Sequence, residues 1–305
     1  MIGTVGRALA GAALAGAAGI AYAAVEAQLY TLRHVTVPVL PRGQRPLRVL
    51  HISDLHLTPS QDRKIEWVRS LADLEPDLVV DTGDNMAHTE VLPHLLHALE
   101  PLTRFPGAFV MGSNDYFAPV PKNPARYLLS DSRRTISEPR PLPADQLGAA
   151  LSEAGWVDLS NRRDVVVADG RTLALVGVDD PHIDRDRFPA PDVPAAEADL
   201  RVGVTHAPYR RTLDAMHADG SDLVIAGHTH GGQLCLPVLG ALVTNCDLDT
   251  SRAKGLHGWP GARPDEPRGA GSTWLHVSAG LGTSPYAPVR FACRPEATLL
   301  TLVAR

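Results

Sequence analysis

The stretch LRVLHISDLH, residues 47–56, joins a short apolar run to a turn that carries an aspartate and a histidine. A run of this length, bounded by polar residues, is typical of a buried strand. The residues that follow place Ile65, Val68 and Leu71 at helical spacing, so the segment reads as a strand followed by a helix. Because strand and helix patterns continue to alternate along the chain, the sequence predicts an α/β domain.

Four other apolar runs also lead directly into side chains that can bind a metal ion. The runs are Asp77–Asp81 before Gly83-Asp84, Gly107–Met111 before Gly112-Ser113-Asn114-Asp115, Arg201–Thr205 before His206, and Asp222–Ala226 before Gly227-His228-Thr229-His230. Open α/β sheets bind ligands at the carboxyl ends of their strands. We therefore expect these side chains, together with Asp54 and His56, to converge in one crevice.

The remaining pattern completes the predicted sheet and marks two irregular segments. Strands are predicted at Thr172–Val178, Trp274–Ser278 and Thr298–Leu302. Gly255–Ser272 is rich in Gly, Pro and Arg, and it is predicted to be an exposed loop. Pro119–Pro143 holds six prolines and several arginines, which indicates an insertion or lid.

Composition and charge limit the classes of function. The 305-residue chain is 44% apolar and 21% charged, which is ordinary for a globular protein and excludes wholesale disorder. A net charge of −5 is not the excess of basic charge that is typical of nucleic-acid binding proteins, so no nucleic-acid binding surface is expected. The cysteines Cys235, Cys246 and Cys293 show no CxxC pair and no framework spacing. Neither a disulfide scaffold nor a thiolate zinc site is therefore implied.

The N-terminal segment differs from the rest of the chain. Ala8–Val25 contains no charged residue and lies between Arg7 and Glu26. Its length suits a thin transmembrane helix or the apolar part of a signal peptide, but its Ala- and Gly-rich composition inserts only weakly. Three interpretations stay open: an uncleaved anchor, which we prefer, a signal cleaved near Ala21-Tyr22-Ala23, and an Ala-rich helix of the domain. The chain is expected at the cell membrane or exported, with the side of the membrane left open.

The converging side chains are imidazoles and carboxylates, the ligand set that suits zinc, iron or manganese. Singly they are weak evidence, because Asp84 could be a turn aspartate and His206 a structural histidine. The segment GHTHGG, residues 227–232, is more specific, since its glycines let the backbone approach a ligand closely. Five such groups in this order favour a metal site. Two ions about 3.5–4 Å apart would need one carboxylate between them, for which Asp84 is the candidate.

This series of motifs resembles the signature of the calcineurin-like metallophosphoesterase family. The resemblance covers residues 47–305, and GHTHGGQ together with Pro288–Glu296 is similar to a membrane-associated or exported bacterial branch. The resemblance implies an α/β fold, a four-layer α-β-β-α sandwich of two mixed sheets flanked by helices. It divides the chain into an anchor or signal segment, residues 1–33, and a metallophosphoesterase domain, residues 34–305, with an insertion at 119–143.

The resemblance also implies two divalent or trivalent metal ions, of Mn, Fe or Zn, and it assigns ligands to each. The first ion would take Asp54, His56, Asp84 and His230. The second would take Asp84, an asparagine after the third strand, His206 and His228. The implied activity is that of a metal-dependent phosphoric ester hydrolase.

One motif departs from the family pattern of Gly-Asn-His-Asp/Glu, in which the asparagine binds metal and the histidine assists the leaving group. This chain has Gly112-Ser113-Asn114-Asp115. A hydroxyl on Ser113 is a poorer ligand than an amide oxygen, so we prefer a one-residue adjustment that presents Asn114 to the metal. The histidine is missing in either register. Because general acid help is typically worth about 10²–10⁴-fold, we expect slower turnover unless Asp115 or a basic residue of the insertion compensates.

We expect a dinuclear-metal phosphoesterase that hydrolyses phosphodiester or pyrophosphate bonds, with lipid-linked or envelope substrates preferred. In this reaction a hydroxide that bridges the two ions attacks phosphorus in line, and His206 stabilises phosphoryl charge. The candidate catalytic residues are Asn114, Asp115 and His206, and the candidate substrate contacts are Ser113, Gln233 and Arg290. For Gln233 and Arg290 a structural role stays equally open. The expected partners are a phosphate ester and, through the N-terminal segment, a membrane, while the oligomeric state stays open. The alternative is a metal-binding protein whose altered motif marks a degenerate, weakly active or inactive site.

Overall fold

The structure is a computed structural model and describes residues 2–121, 140–191 and 198–305. Most of the predicted insertion, residues 122–139, lies outside the described residues. The strands in chain order are β1 (Thr31–Leu40), β2 (Leu47–Ile52), β3 (Leu78–Asp81), β4 (Gly107–Phe109), β5 (Trp156–Asp158), β6 (Arg163–Ala168), β7 (Arg171–Gly177), β8 (Leu200–Thr205), β9 (Leu223–Ala226), β10 (Cys235–Leu236), β11 (Gly240–Ala241), β12 (Gly255–Trp259), β13 (Thr273–Val277) and β14 (Glu296–Ala304). The α-helices are α1 (Ile2–Glu26), α2 (Asp62–Ser70), α3 (Leu92–Leu99), α4 (Ser113–Tyr116), α5 (Ala144–Glu153) and α6 (Arg210–Ala218).

The strands form two six-stranded mixed sheets and one short hairpin. The first sheet has the order β1-β14-β2-β3-β4-β5, the second has the order β12-β13-β9-β8-β7-β6, and β10 pairs with β11. Strands β2 to β5 run parallel, as do β7, β8, β9 and β13. The antiparallel neighbours β14, β6 and β12 make both sheets mixed. The turns after the parallel strands therefore leave each sheet at one edge.

Apolar packing joins the sheets and helices into four layers. Val49 of the first sheet and Val202 of the second belong to one buried cluster, which places this core between the sheets. Helices α2, α3 and α5 pack on the outer face of the first sheet, where Leu95 is fully buried. Helix α6 packs on the second sheet through Leu213. The order helix, sheet, sheet, helix is the α-β-β-α sandwich expected from the resemblance, so the fold prediction is confirmed.

The eight predicted strands are all present, within two residues of their expected bounds. The loop predicted at Gly255–Ser272 was wrong over its first five residues. These residues form β12, which pairs antiparallel with β13 and buries Gly258 and Trp259. Strand β12 is the outermost strand of its sheet. A glycine-rich segment can serve there because an edge strand pairs on one side only.

The N-terminal segment forms α1, and the end of this helix packs on the domain. Among the three described ranges, no helix combines the length and the apolar character needed to cross a membrane. The buried carboxylate of Glu26 accepts the backbone N–H groups of Ala292 and Cys293, at 3.0 and 2.8 Å. The ring of Tyr22 packs edge-on against Phe291, with centroids 5.8 Å apart. Strand β1 starts before residue 33, so the predicted segment boundary falls inside the first sheet.

Candidate metal centre

The turns after four parallel strands bring together predicted ligand residues from distant parts of the chain. Asp54 and His56 follow β2, Asp84 follows β3, His206 follows β8, His228 and His230 follow β9, and Asn114 lies in α4 after β4. Six of the seven are buried, and Asn114 is partly buried. Donor atoms from different turns lie 3.2–3.6 Å apart. The convergence expected at the strand ends is therefore present.

Asp54, His56 and His230 form the first donor group. The Nε2 atoms of His56 and His230 lie 3.2 Å apart, and Asp54 Oδ1 lies 3.6 Å from His230 Nε2. Asp84 adds its Oδ2 at 3.5 Å from His56 Nε2. Ligand atoms held about 2.0–2.2 Å from one tetrahedral zinc-like ion lie roughly 3.4 Å from one another. The spacing of this group therefore suits a single cation.

His206 and His228 form a second donor group, which also includes Asp84. His228 Nδ1 lies 3.3 Å from His206 Nε2, and His206 Nε2 lies 3.6 Å from Asp84 Oδ2. Asn114 contacts the same carboxylate, with its backbone N–H 2.6 Å from Oδ1 and its Nδ2 2.7 Å from Oδ2. Asp84 Oδ2 thus neighbours both donor groups.

Backbone carbonyls fix the orientation of three of these histidines. The pairs are His206 Nδ1 with Thr82 O at 2.7 Å, His228 Nε2 with Asn245 O at 3.2 Å, and His230 Nδ1 with Gly282 O at 3.1 Å. A carbonyl oxygen only accepts, so each of these ring nitrogens carries the proton and donates. The opposite nitrogen of each ring faces the donor group, which is the arrangement of a metal-binding histidine with a supporting hydrogen bond.

Asp54 keeps one carboxylate oxygen available for a cation. Its Oδ2 accepts the hydroxyl of Ser53 at 2.5 Å and the backbone N–H of His228 at 3.0 Å. Its Oδ1 is buried and has no hydrogen-bond partner within the described part of the chain. A buried carboxylate oxygen without a partner costs free energy. A cation beside Oδ1 would satisfy it, so the residues present fit a metal site.

Five of the seven ligand candidates adopt left-handed backbone conformations. The φ angles are 51° at Asp54, 40° at His56, 57° at Asp84, 69° at His228 and 49° at His230. Non-glycine residues adopt positive φ infrequently, and such residues cluster at functional sites where the surrounding structure holds them. Gly112 allows the tight turn beside Asp84, since a Cβ there would lie 2.4 Å from Asp84 Oδ1.

Burial and neighbouring charges set the protonation of the donor groups. Burial lowers the pKa of His56 and of His228 to about 4, so both imidazoles are neutral near pH 7. Burial raises the pKa of Asp84, but the neighbouring imidazoles and the hydrogen bonds from Asn114 outweigh it and hold this pKa well below its usual range. For His206, burial lowers the pKa, and nearby carboxylates, chiefly Asp84, raise it to a net value of about 9. His206 therefore carries a proton that a bound cation would displace.

Asp115 and Ser113, from the altered motif, are both buried. The Asp115 carboxylate accepts the backbone N–H groups of Asp84, Asn85 and Gly112 at 2.8–2.9 Å. These bonds hold the Asp84 turn against α4, and the catalytic role of Asp115 stays a prediction. Ser113 is the first residue of α4. The side chain that contacts the Asp84 carboxylate belongs to the next residue, Asn114.

Arg290 and Gln233 direct their side chains to backbone carbonyls. The acceptors are Ala279, Gly282, Gly280 and His230 for Arg290, at 2.7, 2.7, 3.1 and 3.3 Å, and Ala287 and Val289 for Gln233, at 3.0 Å each. Arg290 has no exposed surface. These contacts hold the backbone around His230, and the substrate contacts expected of Arg290 and Gln233 stay predictions.

Two further polar residues lie beside the ligand turns. Asp180 and His182 follow β7, at the strand end that corresponds to the other ligand turns. The ring of His182 lies 4.5 Å from that of His228, between centroids. Asp180 is buried, burial raises its pKa to about 7, and its Oδ2 has no partner among the described residues. The available signal was the Asp-Asp-Pro-His turn directly after a predicted strand.

Comparison with known proteins places the chain among phosphoesterases. The family pattern described as Calcineurin-like phosphoesterase matches residues 47–232. The chain is similar to "Uncharacterized protein YpbG" of Bacillus subtilis, with 26% identity over 298 residues, 95% of this chain and 96% of that protein. It is similar to "Phosphodiesterase YaeI" of Escherichia coli, with 33% identity over 158 residues, 52% of this chain and 51% of that protein. It is also similar to "Transmembrane protein with metallophosphoesterase domain" of Danio rerio, with 27% identity over 288 residues, 88% of this chain and 56% of that protein.

The matched range and the donor groups coincide. Residues 47–232 are more than half of the chain, and they contain all seven ligand candidates from Asp54 to His230. Two groups of buried imidazole and carboxylate donors, built around one aspartate, supply the chemistry that the matched family requires. The chain therefore belongs to the calcineurin-like phosphoesterase family and is a metal-dependent hydrolase of phosphoric esters.

Proposed function

We propose that the chain uses two metal ions to hydrolyse phosphodiester or pyrophosphate bonds of lipid-linked substrates at a membrane surface. The observation that carries the two-metal part is the position of Asp84 Oδ2, 3.5 Å from His56 Nε2 and 3.6 Å from His206 Nε2. A carboxylate between two donor groups is what a two-metal hydrolase needs. The relative named as a phosphodiesterase, 33% identical over half of this chain, supports a phosphodiester as the bond.

Seven side chains would hold the ions. Asp54, His56 and His230 would bind the first ion, Asn114, His206 and His228 the second, and Asp84 both. When bound, Mn, Fe or Zn ions supply an acidified water as the nucleophile and neutralise charge on the phosphoryl group.

The protein keeps these donors oriented toward the positions that the ions would take. Backbone carbonyls hold the ring protons of His206, His228 and His230 on the nitrogens opposite the donor groups. Arg290 positions His230, because the Gly282 carbonyl accepts both Arg290 Nη2 at 2.7 Å and His230 Nδ1 at 3.1 Å. Loss of the Arg290 side chain, or of the hydrogen bond between His230 and the Gly282 carbonyl, would free the imidazole ring of His230 to rotate.

The side chain at Asn114 affects the choice of leaving group. An amide has no proton that titrates near neutral pH, so Asn114 does not serve as the general acid that the family histidine provides. Bonds whose leaving group is already a stable anion, such as a phosphate within a pyrophosphate, are therefore favoured over esters of alkyl alcohols.

Asn114→Ala is expected to weaken binding of the second ion and to spare the first. Among the described residues of the altered motif, Asn114 alone has a side chain that hydrogen-bonds to the Asp84 carboxylate. Loss of a ligand-orienting contact typically costs about 10–100-fold in metal affinity. Calorimetric titration with Mn²⁺ measures the change. Ser113→Ala is the matched control, and if Ser113 were the ligand the results of the two variants would be exchanged.

The β10–β11 hairpin exposes apolar side chains beside the metal centre. We call Leu234, Leu236, Val238, Leu239 and Leu242 the apolar hairpin. Val238 and Leu239 at its tip are 105% and 78% exposed. The hairpin follows the His230 turn directly, and a Cβ on Gly232 would lie 2.4 Å from the Cβ of Ala241 in β11. An exposed apolar cluster of this kind marks an interaction site.

The apolar hairpin is continuous with the end of α1. Leu234 forms a bridge with Phe291, and Phe291 packs against Tyr22 of α1. Residues 233–245 contain no charge, and Arg294 is exposed in the same loop as Phe291. Apolar side chains with a flanking cation match a bilayer that carries anionic headgroups. This contact would place the metal centre near lipid-linked phosphates.

Vesicle assays test the proposed function. Wild-type protein with Mn²⁺ is expected to hydrolyse soluble bis-p-nitrophenyl phosphate and a polyprenyl pyrophosphate in phosphatidylglycerol–phosphatidylcholine vesicles. Val238→Glu combined with Leu239→Glu should lower the vesicle rate at least about tenfold, since each side chain withdrawn from lipid loses roughly 1.5–3 kcal/mol. The rate on the soluble diester should not change.

Val167→Glu is the matched control for the hairpin variant. Val167 is 62% exposed in β6 and pairs with the start of β7, at the sheet end opposite the ligand turns. An equal vesicle rate in the hairpin variant and in wild type would contradict the membrane part of the proposal. Two bound ions without hydrolysis of either substrate would instead support the alternative of a metal-binding protein with a degenerate site.

A further inference from the structure

Two cysteine thiols lie in contact beside the metal centre, although their sequence spacing forms no motif. Cys235 in β10 and Cys293 in the loop before β14 are both free and buried. Both thiols lie against the carbonyl oxygen of Gly231, at 3.2 and 3.5 Å, and the two side chains belong to one buried cluster. The shared acceptor places the two sulfur atoms on the same side of the Gly231 turn.

The backbone segments that carry the two thiols are held side by side. The N–H of Cys235 donates to the carbonyl of Phe291 at 2.9 Å, and Glu26 accepts the N–H of Cys293 at 2.8 Å. Gly231 leaves room for the sulfur atoms, since a Cβ there would lie 2.7 Å from Cys293 Sγ. The backbone therefore holds the segments that carry the two thiols beside each other.

The third cysteine is separate from this pair. Cys246 packs in a different buried cluster, together with Ala207 and Trp259. Cys235 and Cys293 share their own small cluster with Ala279. Cys246 therefore serves as an internal control for any reaction of the pair.

We propose that Cys235 and Cys293 form a disulfide when the folding chain meets a thiol–disulfide oxidant such as oxidised glutathione. One cysteine thiolate attacks the S–S bond of the oxidant, forms a mixed disulfide and releases one glutathione thiol. The other cysteine then attacks its partner's sulfur and releases the second glutathione thiol. The two cysteines lose two electrons and two protons, and the oxidant gains both.

The bond would join the two segments that flank His230. Cys293 Sγ lies 3.3 Å from the His230 carbonyl, and Cys293 shares its loop with Arg290. The cross-link closes a loop of about 60 residues, and a disulfide of this span stabilises mainly by restricting the unfolded chain. We expect the Tm of the oxidised protein to rise by about 5–10 °C. This inference is independent of the substrate and of the number of metal ions.

Thiol counting after oxidative refolding tests the proposal. The full chain is unfolded and reduced, refolded with oxidised and reduced glutathione, alkylated, and analysed by mass spectrometry of its peptides. Wild-type protein is expected to keep one free thiol, Cys246→Ser none and Cys235→Ser two. The rise in Tm should appear in Cys246→Ser and be absent from Cys235→Ser and Cys293→Ser.

Two outcomes overturn the proposal. One is three free thiols in wild-type protein that has refolded in the presence of the oxidant. The other is an intramolecular bond that includes Cys246. Refolded Cys246→Ser that keeps both thiols would contradict the proposal even if the other two variants failed to fold.

Discussion

Asp84→Asn is expected to lower the rate of phosphodiester hydrolysis by at least about 10²–10³-fold and to leave no more than one tightly bound metal ion per chain. The substitution keeps the shape of the side chain but removes the negative charge that neighbours His56 and His206, at 3.5 and 3.6 Å. The amide nitrogen has no lone pair to share with a cation, so one of the two donor groups is incomplete. Steady-state kinetics together with elemental analysis of the purified protein measure both effects.

Asp81→Asn is the matched control for this variant. Asp81 is also buried, but its carboxylate accepts the N–H of Gly83 and the Nδ2 of Asn85, and none of its hydrogen bonds in the described ranges goes to a ligand candidate. Burial raises the pKa of Asp81 to about 7, so the neutral form is already partly present. We expect near wild-type metal content in this control. Two ions and full activity in Asp84→Asn would rule out the shared carboxylate.

Arg290→Met is expected to lower the free energy of unfolding by about 3–5 kcal/mol, the typical cost of breaking a buried charged network. The guanidinium supplies donors to the carbonyls of Ala279, Gly280 and Gly282. The variant would remove all three hydrogen bonds, although the Gly280 oxygen would keep the N–H of Glu296 and the Gly282 oxygen would keep His230 Nδ1. Methionine fills a similar volume, so the loss reports hydrogen bonding and charge rather than a cavity. Urea denaturation followed by circular dichroism measures the change.

The same experiment needs a surface arginine for comparison. Arg162 has a side chain that is 66% exposed and lies 3.6 Å from Asp158. Exposed pairs of this kind contribute little, so Arg162→Met should change the free energy of unfolding by no more than about 0.5 kcal/mol. An Arg290→Met variant as stable as Arg162→Met would show that the buried network does not stabilise the fold.

The strand framework could be predicted because its signals are local. A run of apolar residues predicts a buried strand such as LRVLHI, and the polar turn after it shows where the ligand residues begin. The six residues of β2 coincide with the predicted run. The rule that parallel strands present their ligands at one edge then gave the convergence of Asp54, Asp84 and His206 without knowledge of the fold.

What the sequence did not reveal depends on contacts between residues far apart in the chain. The carbonyls of Asn245 and Gly282 orient two histidines, but any residue has a carbonyl, so no side chain marks them. Arg290 donates to the carbonyls of Ala279 and His230, which are likewise far from it in sequence or carry no side-chain signal. Cys235 and Cys293 are adjacent only because β10 meets the loop before β14. Local periodicity carries no information about such pairings.

The hydrogen bonds of Glu26 have a consequence for any shortened version of the protein. The carboxylate at the end of α1 satisfies two amide groups in the loop that also carries Arg290, and Tyr22 covers the ring of Phe291. A fragment that starts after this helix would leave those amides unpaired and uncover an aromatic side chain next to the catalytic centre. Fragments for expression or crystallisation should therefore begin upstream of Tyr22, so that both contacts of the first helix with this loop are kept.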